Sequence, residues 1–337
     1  MASTLLTVIL NWRTAEMTLR ATEAALREMA GIPGALTIVD NDSGDGSFDR
    51  MAAEVRARGW DKGETPVRVL QSGHNGGFGA GNNFGIRAGL PGGARPDYVY
   101  ILNSDAFPDA GAIAALYDHL ETTPATGFAG SYIHGPDGAP HRTAFRFPSI
   151  AAEFEAAIRF GPVSRLLRRH IVAQPIPDAT TPVDWLAGAS LMMRHDVLDR
   201  IGVFDEAFFL YFEETDLCHR AAAAGVPIVY VRQSEVTHIG SVSTGMKTWA
   251  RMPAYWFDSR LYYFTKTHGR AYAGLATLAL IAGAALWRAR LLIQTRDRAD
   301  PPRFLRDLIA HSARAMVKSA GGRPAPKTTA KTRQEGV

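Results

Sequence analysis

The sequence predicts an α/β protein in which a mainly parallel β-sheet is flanked by helices. Through the first 130 residues, short strands that are apolar on both faces alternate with segments of helical spacing. Strands of that kind belong to parallel sheets that helices cover. The 337 residues, 46% hydrophobic and 21% charged, are sufficient for a buried core and ordinary for a globular protein. From residue 249 onward the pattern is helical, which predicts a helical C-terminal extension.

Four strand–helix units account for the N-terminal part of the chain. Strands are predicted at 5–10, 36–39, 67–70 and 98–102, and helices at 14–29, 48–58, 83–88 and 110–121. Residues 133–182 are irregular and rich in proline, which predicts an inserted loop region or a mobile lid. A strand at 183–193, a helix at 213–224 and a strand at 226–231 follow. We expect a main domain at 1–245, a helical, aromatic-rich extension at 246–320 and a disordered basic tail at 321–337.

Charge and cysteine content exclude several classes of protein. The chain carries a formal net charge of +4, but 12 Lys and Arg against 4 Asp and Glu lie from Arg288 to Val337, so the preceding body is mildly acidic. A nucleic-acid-binding domain would carry its basic residues on the folded face, so we expect no nucleic-acid partner. The single cysteine, Cys218, excludes an intrachain disulfide and a zinc ribbon. A cytoplasmic location follows as the expectation.

Membrane contact is a second expectation. Residues 271–287 form a run of 17 residues without a charge, which is borderline for a membrane span. The aromatic residues just before it are dense enough for a membrane interface; they are Trp249, Tyr255, Trp256, Phe257, Tyr262, Tyr263 and Phe264. The basic tail suits an anionic membrane surface or a solvated terminus. Shallow peripheral attachment, a true span and a buried helical pair packed on the main domain all remain open. The N-terminal run MASTLLTVILNW is predicted to be a strand and not a signal peptide.

Polar residues follow the first four predicted strands. Strand one ends at Asn11, strand two leads into 40–47, strand three into the glycine-rich 75–83, and strand four into 103–105. Ligands of open parallel sheets bind beyond the carboxyl ends of the strands, so we expect these segments to share one site. No Walker loop is present, and Phe84 replaces the third glycine of a dinucleotide fingerprint, which disfavours a nicotinamide dehydrogenase. The glycines then serve close approach to a nucleotide or only the path of the chain.

Two groups of acidic and amide side chains are candidates for metal binding and proton transfer. Asn103-Ser104-Asp105 offers oxygen ligands for a hard divalent cation, although such residues also cap helices. The carboxylates of Glu213, Glu214 and Asp216 crowd the start of a helix. Such crowding raises a pKa and suits a general base, but acids also complement a helix dipole. His238 is a metal ligand or a structural histidine.

The motifs resemble the inverting family 2 glycosyltransferases of the GT-A fold, in their rhamnosyltransferase-like branch. In chain order they are VILNW, VDNDSGDGS, NGGFGAGNNFGI, YILNSDAF and VFDEAFFLYFEETDLCHRAAAAG, followed by TH and SVSTG. The resemblance covers roughly residues 5–269. No single string is decisive, but five in the right order identify the family.

This resemblance assigns roles to residues. Asp40 is expected to bind the nucleotide base with Asn11 nearby, and Asp105 to bind Mg²⁺ or Mn²⁺ with His238 close to the metal. Glu213 and Glu214 match the catalytic acidic pair, whose second member, Glu214, is the expected base, with Glu213 as the alternative. The remaining nucleotide-sugar-binding residues are expected to be Asn75, Gly76, Gly77, Phe78, Gly79, Asn82, Asn83, Asn103 and Ser104. Two departures stand out: Asn103 replaces the first metal-binding acid, and Glu214 stands where Asp is usual.

The resemblance implies a metal-dependent, inverting glycosyltransferase. Its donor is a nucleotide diphosphate sugar, with deoxythymidine diphosphate-rhamnose implied by the branch. The aromatic-rich helix and the basic tail suggest the acceptor, a hydroxyl of a glycan or lipid-linked glycan in envelope polysaccharide or cell-wall synthesis, at the cytoplasmic face of a membrane. The alternative is a catalytically inactive, membrane-associated scaffold that keeps the fold, since both departures fall on functional positions.

Overall fold

The computed structural model describes residues 2–240, 251–294 and 301–320. The domain boundary expected at 245/246 and the expected tail at 321–337 lie outside the described residues. The strands are β1 Leu5–Asn11, β2 Gly34–Asp40, β3 Val67–Gln71, β4 Tyr98–Asn103, β5 Ala106–Pro108, β6 Phe128–His134, β7 Pro140–His141, β8 Ala144–Phe145, β9 Thr181–Val183, β10 Trp185–Leu186, β11 Ser190–Arg194 and β12 Ile228–His238. The helices are α1 Ala15–Glu28, α2 Ser47–Ala57, α3 Gly77–Ala88, α4 Ala112–Thr122, α5 Ile150–Ile158, α6 Gly161–Leu166, α7 His195–Ile201, α8 Glu213–Ala223, α9 Ala254–His268, α10 Arg270–Gln294 and α11 Phe304–Ala320.

The first four strands form a parallel half-sheet in the order β3-β2-β1-β4. Strand β1 is buried along nearly its whole length, as its apolar composition predicts. The register pairs Asn11 with Asp40 and Leu10 with Asn103. The ends of β1, β2 and β4 therefore lie side by side at one edge of the sheet, called here the site edge.

The second half of the sheet is mixed, so the expectation of a mainly parallel sheet holds only for the first four strands. Strand β11 runs antiparallel between β4 and β6, and β12 is parallel to β6 but antiparallel to β5 and β9. Because β6 ends and β11 begins at the site edge, residues 135–189 leave and return at the same edge. A connection of that kind reverses the strand direction, whereas a parallel pair needs a crossover.

Three element boundaries differ from the expected ones. Helix α3 begins at Gly77 and not at residue 83, because packing outweighs the low helix propensity of glycine there. The strand expected at 183–193 is divided into β9, β10 and β11, and the turn before β11 contains Gly188 and Ala189. Strand β12 continues to His238, seven residues beyond the expected end, and this extension carries the histidine to the site edge.

The C-terminal helices pack on the main domain. Helix α10 lies along α5, where a Cβ on Gly283 would stand 2.8 Å from the Phe154 carbonyl oxygen. Phe257, Tyr263 and Phe264 of α9 are buried, and Trp249 lies outside the described residues. Three of the seven aromatic side chains of the expected interface are therefore protein core, as the alternative of a buried helical pair predicts for them.

A buried ion pair joins α5, α9 and α10. The guanidinium of Arg260, only 2% exposed, donates to the Glu153 carboxylate over 2.8 Å and to the Thr277 hydroxyl over 3.1 Å. Burial raises the pKa of Glu153, and Arg260 opposes that rise. The pair fixes the register of three helices, since removing one partner leaves an uncompensated buried charge.

We expect Arg260→Leu to lower the free energy of unfolding by about 3–5 kcal/mol at pH 7, because Glu153 loses its partner. The loss should be smaller at pH 5, where protonation neutralises the isolated carboxylate. Urea unfolding at both pH values measures the difference. The matched double variant Arg260→Leu/Glu153→Leu should recover most of the stability; equal losses in both variants would contradict a charge-pairing role.

Candidate active site

Asp40 organises the loop after β2. Its Oδ1 accepts hydrogen bonds from Asn11 Nδ2 at 2.7 Å and from Ser43 Oγ at 2.6 Å, and its Oδ2 accepts one from the Ser43 amide at 3.1 Å. The other end of the Asn11 amide accepts a hydrogen bond from Thr18 of α1 at 2.7 Å. Asp40 is 1% exposed, so its carboxylate lies beneath the loop. The base-binding role of Asp40 stays a prediction, and a direct contact requires movement of this loop.

The glycine-rich segment forms the start of α3 and packs against protein. Asn75 Oδ1 accepts from Asn41 Nδ2 at 3.0 Å and from the Gly77 amide at 3.1 Å. A Cβ on Gly77, whose φ is +90°, would stand 1.8 Å from the Phe209 carbonyl oxygen, which also accepts a 3.0 Å hydrogen bond from the Phe78 amide. This segment therefore needs its glycine for close contact with the chain just before α8.

The other glycines of this segment also face protein atoms. A Cβ on Gly79 would stand 3.0 Å from the Phe204 side chain, and one on Gly76 would stand 2.6 Å from Ala80. A Cβ on Gly81 would stand 2.4 Å from Leu10 of β1. The glycine run was expected to serve close approach to a nucleotide or only the path of the chain. These contacts are with protein atoms, so they are explained by the path and packing of the chain.

Asn82 and Asn83 have different environments, although both are fully buried. Asn83 Nδ2 donates to the Phe204 carbonyl and to Glu206, and its Oδ1 accepts from the Phe204 amide. Asn83 thus joins α3 to the 204–206 segment, and its expected role as a donor-binding residue stays a prediction. Asn82 Nδ2 donates to the Phe78 carbonyl at 3.0 Å, whereas its Oδ1 is buried without a hydrogen-bond partner.

Asp105 and His238 meet at the site edge, although 133 residues separate them in the chain. His238 Nε2 lies 3.1 Å from Asp105 Oδ1, and the Ile239 amide donates to the Asp105 carbonyl at 3.1 Å. Ser104, adjacent to Asp105, accepts a 3.3 Å hydrogen bond from Thr14 at the start of α1. The expected metal-binding pair is therefore assembled, and it is connected to the Asn11 loop.

Glu213 and Glu214 begin α8 beneath the aromatic segment 208–212. Glu213 is 2% exposed, and one carboxylate oxygen of each residue is buried without a hydrogen-bond partner. Burial raises the pKa of Glu214 to about 7, and the backbone amides of Glu214 and Gly188 oppose that rise. Burial and the charge of Glu214 together raise the pKa of Glu213 well above its usual range. With its pKa at about 7, Glu214 can exchange a proton at neutral pH.

The turn before β11 connects this acidic pair to the end of β4, which leads to Asp105. The Asn103 amide donates to the Ala189 carbonyl at 3.0 Å, and a Cβ on the preceding Gly188 would stand 4.0 Å from Glu214 Cβ and 3.1 Å from the Phe78 ring. Glu214, Phe78 and the end of β4 therefore border the same turn. The sequence predicted an uninterrupted strand at 183–193, so it gave no indication that Gly188 lies in a turn at the site.

A second group of metal-ligand side chains was also missed. Ligand atoms of Asp109, His134 and Glu235 all lie within 4.8 Å of one another. His134 Nε2 lies 2.9 Å from Asp109 Oδ2, and Arg232 donates to Glu235 at 2.6 Å. These contacts satisfy the group as an ion-pair network. Asp109 follows β5, His134 ends β6 and Glu235 lies within β12, so spacing along the chain gives no sign of them.

The fold and the site define a class: a GT-A glycosyltransferase, with a half-parallel sheet, a carboxylate–histidine pair after β4 and a buried carboxylate at the start of α8. A family model described as "Glycosyltransferase like family 2" matches residues 4–257, and the chain belongs to this family. The expected family and fold are confirmed, and the protein is a glycosyltransferase.

Curated relatives carry rhamnosyltransferase names. The chain is 29% identical to N-acetylglucosaminyl-diphospho-decaprenol L-rhamnosyltransferase of Mycobacterium tuberculosis over 284 residues, which cover 81% of this chain and 88% of the relative. It is 25% identical to rhamnosyltransferase WbbL of Escherichia coli over 165 residues, which cover 48% of this chain and 60% of the relative.

A solved structure supports the fold at lower identity. The mannosyltransferase PcManGT of Pyrobaculum calidifontis, solved with GDP-Man and Mn²⁺, superposes with a TM-score of 0.55 and 14% identity. The match covers 94% of this chain and 81% of the mannosyltransferase. This neighbour was solved with a divalent metal and a nucleotide sugar.

Gly77→Ala should lower the free energy of unfolding by at least about 3 kcal/mol, because a methyl group overlaps the Phe209 carbonyl at a left-handed φ. Gly59→Ala is the matched control, since Gly59 has a φ of +66° but no atom within 4 Å of an added Cβ. The control should cost only about 1 kcal/mol. Urea unfolding measures both, and equal losses would show that the contact with residue 209 contributes nothing.

Proposed function

We propose that the protein transfers an L-rhamnosyl group, with inversion, from a nucleotide diphosphate donor to a lipid-linked N-acetylglucosaminyl diphosphate at the cytoplasmic face of a membrane. The observation that carries the reaction type is the position of Glu214, which borders the Gly188–Ala189 turn that also contacts Asn103, at the start of the segment that leads to Asp105. The relative from Mycobacterium tuberculosis supports the substrate class, because it matches most of both chains.

A divalent cation fits the donor set at the site edge. The Asp105 and His238 donor atoms are 3.1 Å apart, close to the roughly 3 Å between adjacent ligands of an octahedral ion with bonds of about 2.1 Å. A carboxylate oxygen and an imidazole nitrogen suit Mn²⁺, and Mg²⁺ accepts the same set with more water. When bound, the cation offsets the charge that develops on the departing diphosphate. Asn103 supplies no charge, so we assign Asp105 and His238 as the direct ligands.

The nucleotide is proposed to lie along the ends of β1 and β2. Asn11, Ser43 and Asp40 hold that edge in one conformation through their shared hydrogen bonds. Asn75, Gly76 and Phe78 continue the edge toward Glu214. Asn82, in the same segment, has a buried side-chain oxygen without a hydrogen-bond partner. Gly77 and Gly79 contribute by positioning this segment against residues 204–213.

Glu214 is proposed to act as the general base. Its carboxylate takes the proton of the acceptor hydroxyl while the hydroxyl oxygen attacks the anomeric carbon from the face opposite the diphosphate. The bond between that carbon and the diphosphate oxygen breaks, and its electron pair leaves with the nucleotide diphosphate. A single displacement inverts the anomeric configuration. Glu213 stays protonated beside it and avoids a second negative charge in the same buried place.

The direct test combines purified protein, deoxythymidine diphosphate-L-rhamnose, a short-chain polyprenyl diphosphate-linked N-acetylglucosamine, and Mg²⁺ or Mn²⁺. We expect release of nucleotide diphosphate together with an acceptor heavier by one rhamnosyl residue in mass spectrometry. Asp105→Ala should lower turnover at least about a hundredfold, since charge on the leaving group is no longer offset. Donor binding without turnover by the unmodified protein would favour the inactive scaffold.

Glu214→Gln should lower turnover at least about a hundredfold, whereas Glu213→Gln should stay within about fivefold of the unmodified protein, because Gln resembles a neutral Glu. A base must be ionised, so with the pKa of Glu214 at about 7 the activity should fall as the pH decreases below about 7. Turnover measured from pH 5.5 to 8.5 tests both statements.

The Glu213→Gln variant is the matched control for this pair. It should keep a pH dependence of the same direction, while Glu214→Gln should lose it. The opposite result, with Glu213→Gln inactive and Glu214→Gln active, would identify Glu213 as the base.

A further inference from the structure

Helix α10 has one continuous exposed apolar face in the part of the chain that the structure describes. Leu275, Leu278, Leu286 and Leu292 are 55%, 61%, 53% and 82% exposed. The exposed positions recur every three or four residues; they are Ala271, Gly274, Leu275, Leu278, Ala282, Ala285, Leu286, Ala289 and Leu292. We call these nine residues the leucine face. It contains no charged or polar side chain over about 30 Å of helix.

The opposite face of α10 is held by protein. Gly283 contacts α5 closely, and Thr277 accepts a hydrogen bond from the buried Arg260. Residues 270–292 form a helix long and apolar enough to cross a membrane. One third of its most apolar 18-residue stretch is nevertheless buried inside the protein. A span would separate α10 from α5 and leave the Arg260–Glu153 pair without cover. Of the alternatives left open by the sequence, packing on the domain is observed for one face, and the leucine face remains available.

Basic side chains flank the C-terminal end of the leucine face. Arg288 of α10 and Arg306 of α11 line a shallow hollow of about 480 Å³ together with Leu305, Ile309 and Ala310. Ile309 is 47% exposed. Arg314, about two turns after Arg306 on α11, is also exposed. An apolar stripe with arginines at its border is typical of helices that lie in the interface of an anionic bilayer. In a second copy of this chain, the same face would bring like charges together.

We propose that the leucine face of α10 docks flat on an anionic lipid bilayer, with the arginines of α10 and α11 at the level of the headgroups. The helix lies parallel to the membrane surface and does not cross it. This surface is distinct from the donor site. The apolar interior of the bilayer matches the leucine face, and its negative surface charge matches the arginines that border that face.

The docking surface is connected to the acidic pair through a shared cluster. Ala273 and Ala276, on the buried side of α10, pack with Phe208 and Phe212, and Phe212 directly precedes Glu213. Helix α10 would therefore lie between the bilayer and the aromatic cluster that precedes α8. Resting on the proposed function, docking of α10 would hold the enzyme at the surface in which a polyprenyl acceptor is embedded.

The first test measures binding of the full chain to sedimenting vesicles of neutral phosphatidylcholine, with and without 30% phosphatidylglycerol (a fraction of about one third, chosen for a strongly negative surface). We expect clear binding to the anionic vesicles. Leu278→Asp/Leu286→Asp should weaken it at least about tenfold, because apolar burial is lost and charge is repelled. Arg306→Gln/Arg314→Gln should weaken it about fivefold for each arginine removed.

Ala53→Asp/Ala57→Asp is the matched control, since it adds the same charge to exposed positions of α2, which packs at the β3 edge of the sheet. It should bind as the unmodified protein does. Equal binding by Leu278→Asp/Leu286→Asp, or equal binding to both vesicle types, overturns the proposal. A dimer in sedimentation velocity that this leucine variant dissociates would assign the face to a second copy and overturn it as well.

Depth measurements distinguish a docked helix from a span. Cys218 is buried, so single fluorophores can be placed by Ala271→Cys, Ala282→Cys and Ala289→Cys. With vesicles that carry lipid-depth quenchers, we expect three similar, shallow depths. A deep label at residue 282 between two shallow ones would indicate a span and overturn the proposal.

Activity separates this inference from the proposed function. On a water-soluble, short-chain acceptor, Leu278→Asp/Leu286→Asp should turn over as fast as the unmodified protein. Vesicle binding without rhamnosyl transfer would remove the proposed function and leave the docking surface, whereas transfer without vesicle binding would do the reverse.

Discussion

The antiparallel insertion of β11 between β4 and β6 is the constraint on which the site depends. Because β6 ends and β11 begins at the site edge, residues 135–189 return to that edge and place the Gly188–Ala189 turn against Asn103. Glu214 then lies beside this turn, although α8 belongs to a later part of the chain. A parallel β11 would have carried the turn to the opposite end of the sheet. Asn103, which leads to Asp105, and Glu214 thus border the same turn because one strand changes direction.

The sequence was sufficient for features that depend on local pattern. Strands with two apolar faces predicted the parallel half-sheet, and that half predicted the meeting of Asn11, Asp40 and Asn103. The motif resemblance paired Asp105 with His238 across 133 residues, which no periodicity could do. The direction of β11, the start of α3 at Gly77 and the structural role of Asn83 were missed. Each depends on a contact with a distant segment, and propensity contains no information about such contacts.

The acidic pair illustrates a conflict between stability and chemistry. Burial raises the pKa of both Glu213 and Glu214, so the folded protein holds protons that the unfolded chain would release. By linkage, the contribution of these groups to stability decreases as the pH rises above the ordinary glutamate value, about 4.5, toward their raised values. The folded protein keeps these two buried carboxyl groups although it would be more stable without them. This is typical of residues retained for a reaction.

The shared core between α5 and α10 has a consequence for the boundaries of the enzyme. The family match ends at residue 257, inside α9, yet the buried cluster around Phe208 includes Ala273 and Ala276 of α10. Helix α5 itself belongs to the segment that returns to the site edge. A shortened chain that stops at the family boundary would uncover both the cluster and the Arg260-binding face of α5. The terminal helices thus share a buried cluster and a buried ion pair with the main domain.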